Sequence, residues 1–199
     1  MKSPEQQLQN TPVEQAKEDG TQRLFFALWP DDALRRRLAG LAEDIGSRVT
    51  GRVVAADNLH ITLVFLGALN GVRRQCAEEV AAAIRSERFT LTLDRLGYWS
   101  TPRILWAGSM QVPEALQSLA GALQAGLASC GIPLETRPYQ PHLTLMRKVN
   151  RRPTAAVIDP ISWNVERFCL VESVSGSRGV SYRVLASWRL ELLSATLFP

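Results

Sequence analysis

The chain has 199 residues, of which 46% are hydrophobic and 21% charged, with a formal net charge of +4. That supports one domain, or two small lobes on a shared core, and excludes a disordered chain, a collagen-like chain and a disulfide-stapled miniprotein. No apolar run approaches the roughly 20 residues of a membrane-crossing helix, and MKSPEQQLQN lacks the apolar stretch of a secretory signal.

Residues 1–22 are rich in Gln, Glu and Asn, without apolar period, and read as a flexible tail before a single domain at 23–199. RLFFALW (23–29) alternates as a strand and stops at Pro30. Asp31 or Asp32 caps a helix through about Gly46, with Leu34, Leu38, Leu41 and Ile45 inward. NLHITLVFLG (58–67) is the next strand: His60, Thr62 and Val64 share one side; Ile61, Leu63 and Phe65 take the other. A helix over 71–86 turns Val72, Cys76, Val80 and Ile84 inward. FTLTLDRL (89–96) and RILWAG (103–108) form a strand pair. A helix from Pro113 carries Leu116, Leu119, Leu123, Leu127 and Cys130 on its core face. PHLTLMRKV (141–149) is a strand and NRRPTAAVIDP (150–160) a loop, and VERFCLVES (165–173) with YRVLASWRLELL (182–193) closes the chain as a strand pair. This mixture predicts an α+β fold rather than a doubly wound parallel sheet. Cys76, Cys130 and Cys169 are too scattered for a disulfide framework; Cys76 and Cys130 read as core packing, and the expected compartment is a reducing cytoplasm.

Charge is unevenly placed. Two lysines against four acids give residues 1–22 a net −2, leaving +6 for the rest, and 20 of the 23 cations are Arg. Arginine forks suit phosphate, so an anionic partner such as a nucleotide or RNA fits the body of the chain.

The chain has two histidines, and each opens the same motif: HITL at 60–63 and HLTL at 142–145. Each copy lies on a predicted strand that follows a predicted helix, so two similar lobes would each present one histidine. On a strand, residues i and i+2 share a face, which sets Thr62 beside His60 and Thr144 beside His142. Two imidazoles, one neutral and one protonated, supply a general base and a general acid. Hydroxyls can donate to phosphoryl oxygens, so the set matches in-line displacement at phosphorus. Zinc would need a third or fourth ligand, and only Asp57 or Glu135 could be recruited, without motif spacing. No G-x-S-x-G and no Walker loop is present, so no nucleotide-driven step and no cofactor is expected.

With RLFFALWP, AADNLHITLVFLG, LTLDRLGYWSTPRILWAG, RPYQPHLTLMRKV and the FCLVES to W-R-L ending, the chain resembles the 2H phosphoesterase superfamily from about Arg23 to Leu193. More narrowly, it resembles the bacterial RNA 2′,3′-cyclic phosphodiesterases, also called 2′-5′ RNA ligases. The resemblance implies a bilobal, pseudo-twofold α+β fold with antiparallel sheets around a metal-free cleft and helices outside. It implies that His60 is the general acid that protonates the departing ribose oxygen and His142 the general base that activates water. Thr62 and Thr144 would hold phosphate oxygens. The implied partner is RNA with a 2′,3′-cyclic phosphate end, tRNA fragments among them, acted on by a monomer. The implied product is a 2′-phosphomonoester, and the reverse reaction would join RNA ends without ATP. Two alternatives stay open: a small cyclic nucleotide as substrate, and a noncatalytic module that holds RNA ends.

Arg147 stands five residues after His142, an odd offset that would point it off the histidine face. The resemblance places an Arg there beside the phosphate, which requires a bulge or a strand end. Trp99, read as a loop residue, is a candidate for stacking on the terminal base, with core packing the alternative. Tyr139 is a second stacking candidate, Arg103 a rim candidate, and Trp106 a core residue.

Overall fold

The structure is a computed structural model that describes residues 20–151, 156–177 and 179–192. Nine strands and three helices follow the chain as β1 (Gln22–Leu28), α1 (Asp32–Gly46), β2 (Arg52–Val53), β3 (Ile61–Leu69), α2 (Gly71–Ala83), β4 (Phe89–Trp99), β5 (Ile104–Gly108), α3 (Glu114–Leu127), β6 (Leu143–Arg147), β7 (Val157–Val165), β8 (Arg167–Gly176) and β9 (Gly179–Arg189). Of the expected tail, residues 1–19 lie outside the described residues, and Gln22 already opens β1. Part of the expected loop at 150–160 is strand: β7 begins at Val157 and pairs with β4, while residues 152–155 lie outside the described residues.

The strands order as β7-β4-β5-β6-β3-β1-β8-β9, with β2 on β6, and neighbouring strands run antiparallel. Two four-strand halves therefore meet at β6 and β3. They join through one residue pair, Ile61 opposite Leu143. Each of these residues directly follows its histidine. An antiparallel pair of equivalent residues has a local twofold axis between them, so the motif repeat is a pseudo-dyad of the fold.

The helices fill the opposite face by apolar period. In α1, Leu34, Leu38, Ala42 and Ile45 are buried, and the Asp31 carboxylate caps the helix by accepting from the Leu34 N–H at 2.8 Å. Such a cap contributes about 1 kcal/mol. In α3, Leu116, Leu119, Leu123 and Leu127 are buried as expected. In α2 and at its C-cap, Cys76, Val80 and Ile84 pack against the core as expected and Ala77 and Ala81 are fully buried, whereas Val72 is exposed. Val80 of α2 seats on Gly126 of α3, where a Cβ would fall 2.6 Å from its Cγ1, so the glycine admits the close approach of the two helices. Cys76 and Cys130 are not simple packing residues: they form a disulfide between α2 and the turn after α3. Sequence spacing missed it because the two cysteines are 54 residues apart and become neighbours only when the helices pair.

Both central strands carry a bulge at the same place. In β6, Thr144 pairs with Trp106 and Met146 with Leu105, leaving Leu145 as the extra residue. In β3, Thr62 pairs with Ala27 and Val64 with Phe26, leaving Leu63 extra. Each extra leucine stands three residues after its histidine. A bulge inverts the alternation beyond it. Leu145 and Met146 are both buried, as are Leu63 and Val64. The next residue in each strand, Arg147 or Phe65, then returns to the histidine face. The expected alternation in β3, with Val64 on the histidine side and Phe65 on the other, is thereby corrected.

Candidate active site

The sheet face opposite the helices holds a cleft of about 800 Å³. It is lined by His60, Thr62, His142, Thr144 and Arg147 together. Extending the register by one residue from the Ile61–Leu143 pair sets each histidine opposite the threonine of the other motif. The two rings are then diagonal neighbours, with backbones about 7–8 Å apart.

Both rings are oriented by the same device. His60 Nδ1 lies 2.8 Å from the Asn58 carbonyl, and His142 Nδ1 lies 2.8 Å from the Gln140 carbonyl. A carbonyl only accepts, so Nδ1 of each ring carries the proton and donates it. Nε2 is left as the reactive atom on both. His60 Nε2 also lies 3.2 Å from Thr62 Oγ1.

The surroundings of the rings differ. His60 sits in an aromatic cage: Trp29 stacks on it at 5.5 Å and 15°, Phe25 lies at 5.0 Å, and Tyr182 presents an edge at 4.9 Å. His142 meets Trp99 at 4.5 Å and, farther off, Trp106 at 6.3 Å. Burial pushes the His60 pKa down to about 4, with the Asn58 carbonyl pulling it up and the charges of Arg147 and His142 pushing it further down. Burial also lowers the His142 pKa, opposed by the Gln140 carbonyl and reinforced by Arg147. Without an anion in the cleft, both rings are therefore neutral at pH 7. An anionic phosphate between them reverses the penalty and draws a proton onto one ring.

The remaining predicted residues divide. Trp99 ends β4 rather than lying in a loop, and its half-buried ring leans on Trp106 as well as on His142. Trp106 is 5% exposed, a core residue as expected; its indole lies over Gly97 directly across the ladder, where a Cβ would fall 2.0 Å from the ring. Tyr139 does not present a stacking face to the cleft. It packs against the core with its hydroxyl buried and unpartnered, which pushes its pKa up. Arg103 is exposed in the β4–β5 turn and is not among the cleft-lining residues.

Sequence reasoning missed Phe65, Trp29, Tyr182, Arg23, Arg52 and Lys148. Phe65 was findable, because it stands at the same offset from His60 as Arg147 does from His142. It is 55% exposed, lines the cleft and touches Phe25 at 5.9 Å. Arg23, Trp29 and Tyr182 come from other segments of the chain, whereas Arg52 and Lys148 lie within eight residues of a motif histidine but outside the motifs.

Residues 30–177 match the sequence family described as the 2′-5′ RNA ligase superfamily. The chain belongs to this superfamily. It is 36% identical over 173 residues to the RNA 2′,3′-cyclic phosphodiesterase of Escherichia coli, covering 85% of this chain and 97% of that one. It is 29% identical over 182 residues to the protein of the same name from Thermus thermophilus, covering 84% and 90%. The crystal structure of E. coli LigT in apo form superposes with a TM-score of 0.78 at 36% identity, covering 86% of this chain and 99% of that one. These superfamily relatives span nearly their whole length, so the bilobal α+β architecture expected from the paired motif is that of the superfamily.

Proposed function

We propose that this protein is an RNA 2′,3′-cyclic phosphodiesterase that hydrolyses a terminal 2′,3′-cyclic phosphate to a 2′-phosphomonoester. One observation carries the reading: two H-x-T-L strands meet across a pseudo-dyad, with both Nε2 atoms left for chemistry at a shared cleft. The name shared by the E. coli and T. thermophilus relatives supports the substrate.

In this reading Thr62, Thr144 and Arg147 hold the non-bridging oxygens. His142 Nε2 takes a proton from water as it attacks phosphorus. His60, protonated once the anion is bound, gives its Nε2 proton to the 3′ oxygen as the P–O3′ bond breaks. The 2′ oxygen keeps the phosphate. A ribose 5′-hydroxyl in place of water gives a 2′-5′ linkage by the same transfers, without ATP. Acid, base and phosphate donors are all side chains, so the reading includes no metal and no cofactor. Trp99, at the His142 edge, is the stacking residue retained for the terminal base.

We further assign it as a monomer acting on RNA ends such as those of tRNA fragments. The cytoplasmic placement rests on the sequence reading; no helix among the described residues is long and apolar enough to cross a membrane. The Cys76–Cys130 disulfide weighs against a strongly reducing compartment, and thiol labelling in intact cells decides the point. The function is tested with an oligoribonucleotide carrying a 2′,3′-cyclic phosphate, incubated with EDTA. Release of the 2′-phosphomonoester supports the reading; a 3′-phosphomonoester, or no turnover, overturns it.

A further inference from the structure

The cleft holds more positive charge than one cyclic phosphate requires. Arg23, Arg52, Arg147 and Lys148 all line it, and no carboxylate among the described residues does. None of the four forms an ion pair among the described residues. Three of them are crowded at one end. Arg52 stands directly opposite Arg147 across the β2–β6 pair, an arrangement of like charges that destabilises a sheet. Lys148 follows Arg147 at once, and on a regular strand the two would point to opposite faces. Lys148 instead has φ of 56°, the left-handed region that side chains rarely adopt. That turn brings both side chains to the cleft. The Arg52 guanidinium reaches across to the tip of the β8–β9 hairpin, where its Nη2 lies 3.3 Å from where a Cβ on Gly179 would stand. Gly179 has φ of 112°, and the hairpin is anchored by Asn58 Nδ2 donating to the Val180 carbonyl at 2.9 Å.

Unneutralised charge and a strained backbone at one spot both work against folding, and both are accepted where an anion completes the site. A singly charged cyclic phosphate is already matched by Arg147. The remaining anions of an RNA end are the phosphodiesters on its 5′ side. We propose that Arg52 and Lys148 form a second phosphate subsite, next to Arg147, that binds the phosphodiester preceding the terminal nucleotide. This rests on the proposed function, and it makes the enzyme select RNA ends over cyclic mononucleotides.

The test compares kcat/KM for a dinucleotide or longer RNA ending in a 2′,3′-cyclic phosphate with kcat/KM for a 2′,3′-cyclic mononucleotide. Wild type should favour the RNA at least about tenfold. In Arg52→Gln combined with Lys148→Asn, which keeps a residue tolerant of the left-handed turn, that ratio should collapse toward one. The salt dependence of the RNA reaction should flatten by about 0.7 per cation removed. Arg52→Lys, which keeps the charge, should retain most of the ratio. Losses that fall equally on both substrates, or a wild-type ratio near one, overturn the subsite and leave the phosphodiesterase reading standing. Failure of wild type on both substrates overturns that reading itself, and the subsite with it.

Discussion

The two halves of the molecule present the same motif in different company. In the half built on β3, His60 is enclosed by Phe25, Trp29 and Tyr182, and the bulge delivers an aromatic ring, Phe65. In the half built on β6, His142 is left more open beside Trp99, and the equivalent bulge delivers a guanidinium, Arg147. The backs differ as well. The disulfide-linked α2 and α3 lie behind β3, whereas α1 lies behind β6. The repeated motif thus supplies two matched imidazoles, and the difference in their surroundings supports the unequal work that the proposed function gives them. A stacked aromatic cage can accommodate an imidazolium once an anion has drawn the proton in. An open ring near solvent can receive a proton from water and release it.

The largest effect should come from removing either ring. His60→Ala and His142→Ala should each reduce turnover of cyclic-phosphate RNA by about 100-fold or more, with the fold intact by circular dichroism. A sharper form uses a substrate whose 3′ leaving group is a good one, such as a thiolate. His60→Ala should then regain much of its loss, since a good leaving group needs no acid, while His142→Ala should not. Equal rescue of both variants would erase the assigned asymmetry.

Next in size is the disulfide behind the first half. It closes a 54-residue span, and a cross-link of that length contributes about 2–4 kcal/mol. At roughly 2–4 °C per kcal/mol, reduction or Cys76→Ser should lower the melting temperature by about 5–15 °C. A melting temperature that does not respond to reductant would mean the bridge adds nothing to the first half.

Smaller again is the exchange of the two bulge residues. Arg147→Gln removes the cleft charge that the proposed function sets on phosphate and should cost about 10- to 100-fold in kcat/KM. Phe65→Ala removes only apolar and stacking surface, and should cost about 3- to 10-fold, mainly in KM. Steady-state kinetics on one RNA substrate would show this order; the reverse order would shift the main substrate contact to the β3 half.

How far the sequence led is clearest at these bulges. Apolar period located the helices and strands, because burial of one face leaves a repeating mark, and the repeated H-x-T-L located both rings and both hydroxyls. A single inserted residue leaves no such mark. Regular alternation therefore put Phe65 on the wrong side, and only the resemblance placed Arg147 on the histidine side. The Ile61–Leu143 contact, the Cys76–Cys130 bridge and the crowding of Arg52 against Arg147 join positions far apart in the chain. Such pairings exist only once the topology is known. Tyr139 shows the converse, an aromatic residue near a motif that burial claims for the core.

The smallest effect separates the rings without substrate. In the folded protein burial holds the His60 pKa at about 4, whereas in the unfolded chain it returns to 6.5. Between these values the unfolded chain binds the extra proton, so stability is full above pH 6.5 and declines as pH falls toward 4. From pH 7 to 5.5 this one group should remove about 1 kcal/mol. His60→Gln should flatten the slope of denaturation midpoint against pH over that interval. His142, whose pKa is also lowered, gives a slope of the same sign. Because His60 is the more enclosed ring, His142→Gln should flatten the slope less. In catalysis the same two depressed values place the singly protonated free enzyme below pH 6.5, so kcat/KM should peak on the acid side of neutrality. The bound anion raises the pKa of both rings, so the limbs of kcat should lie at higher pH than those of kcat/KM. Coincident profiles for the two constants would show that the phosphate does not protonate the cage around His60, and the division of labour between the halves would need another cause.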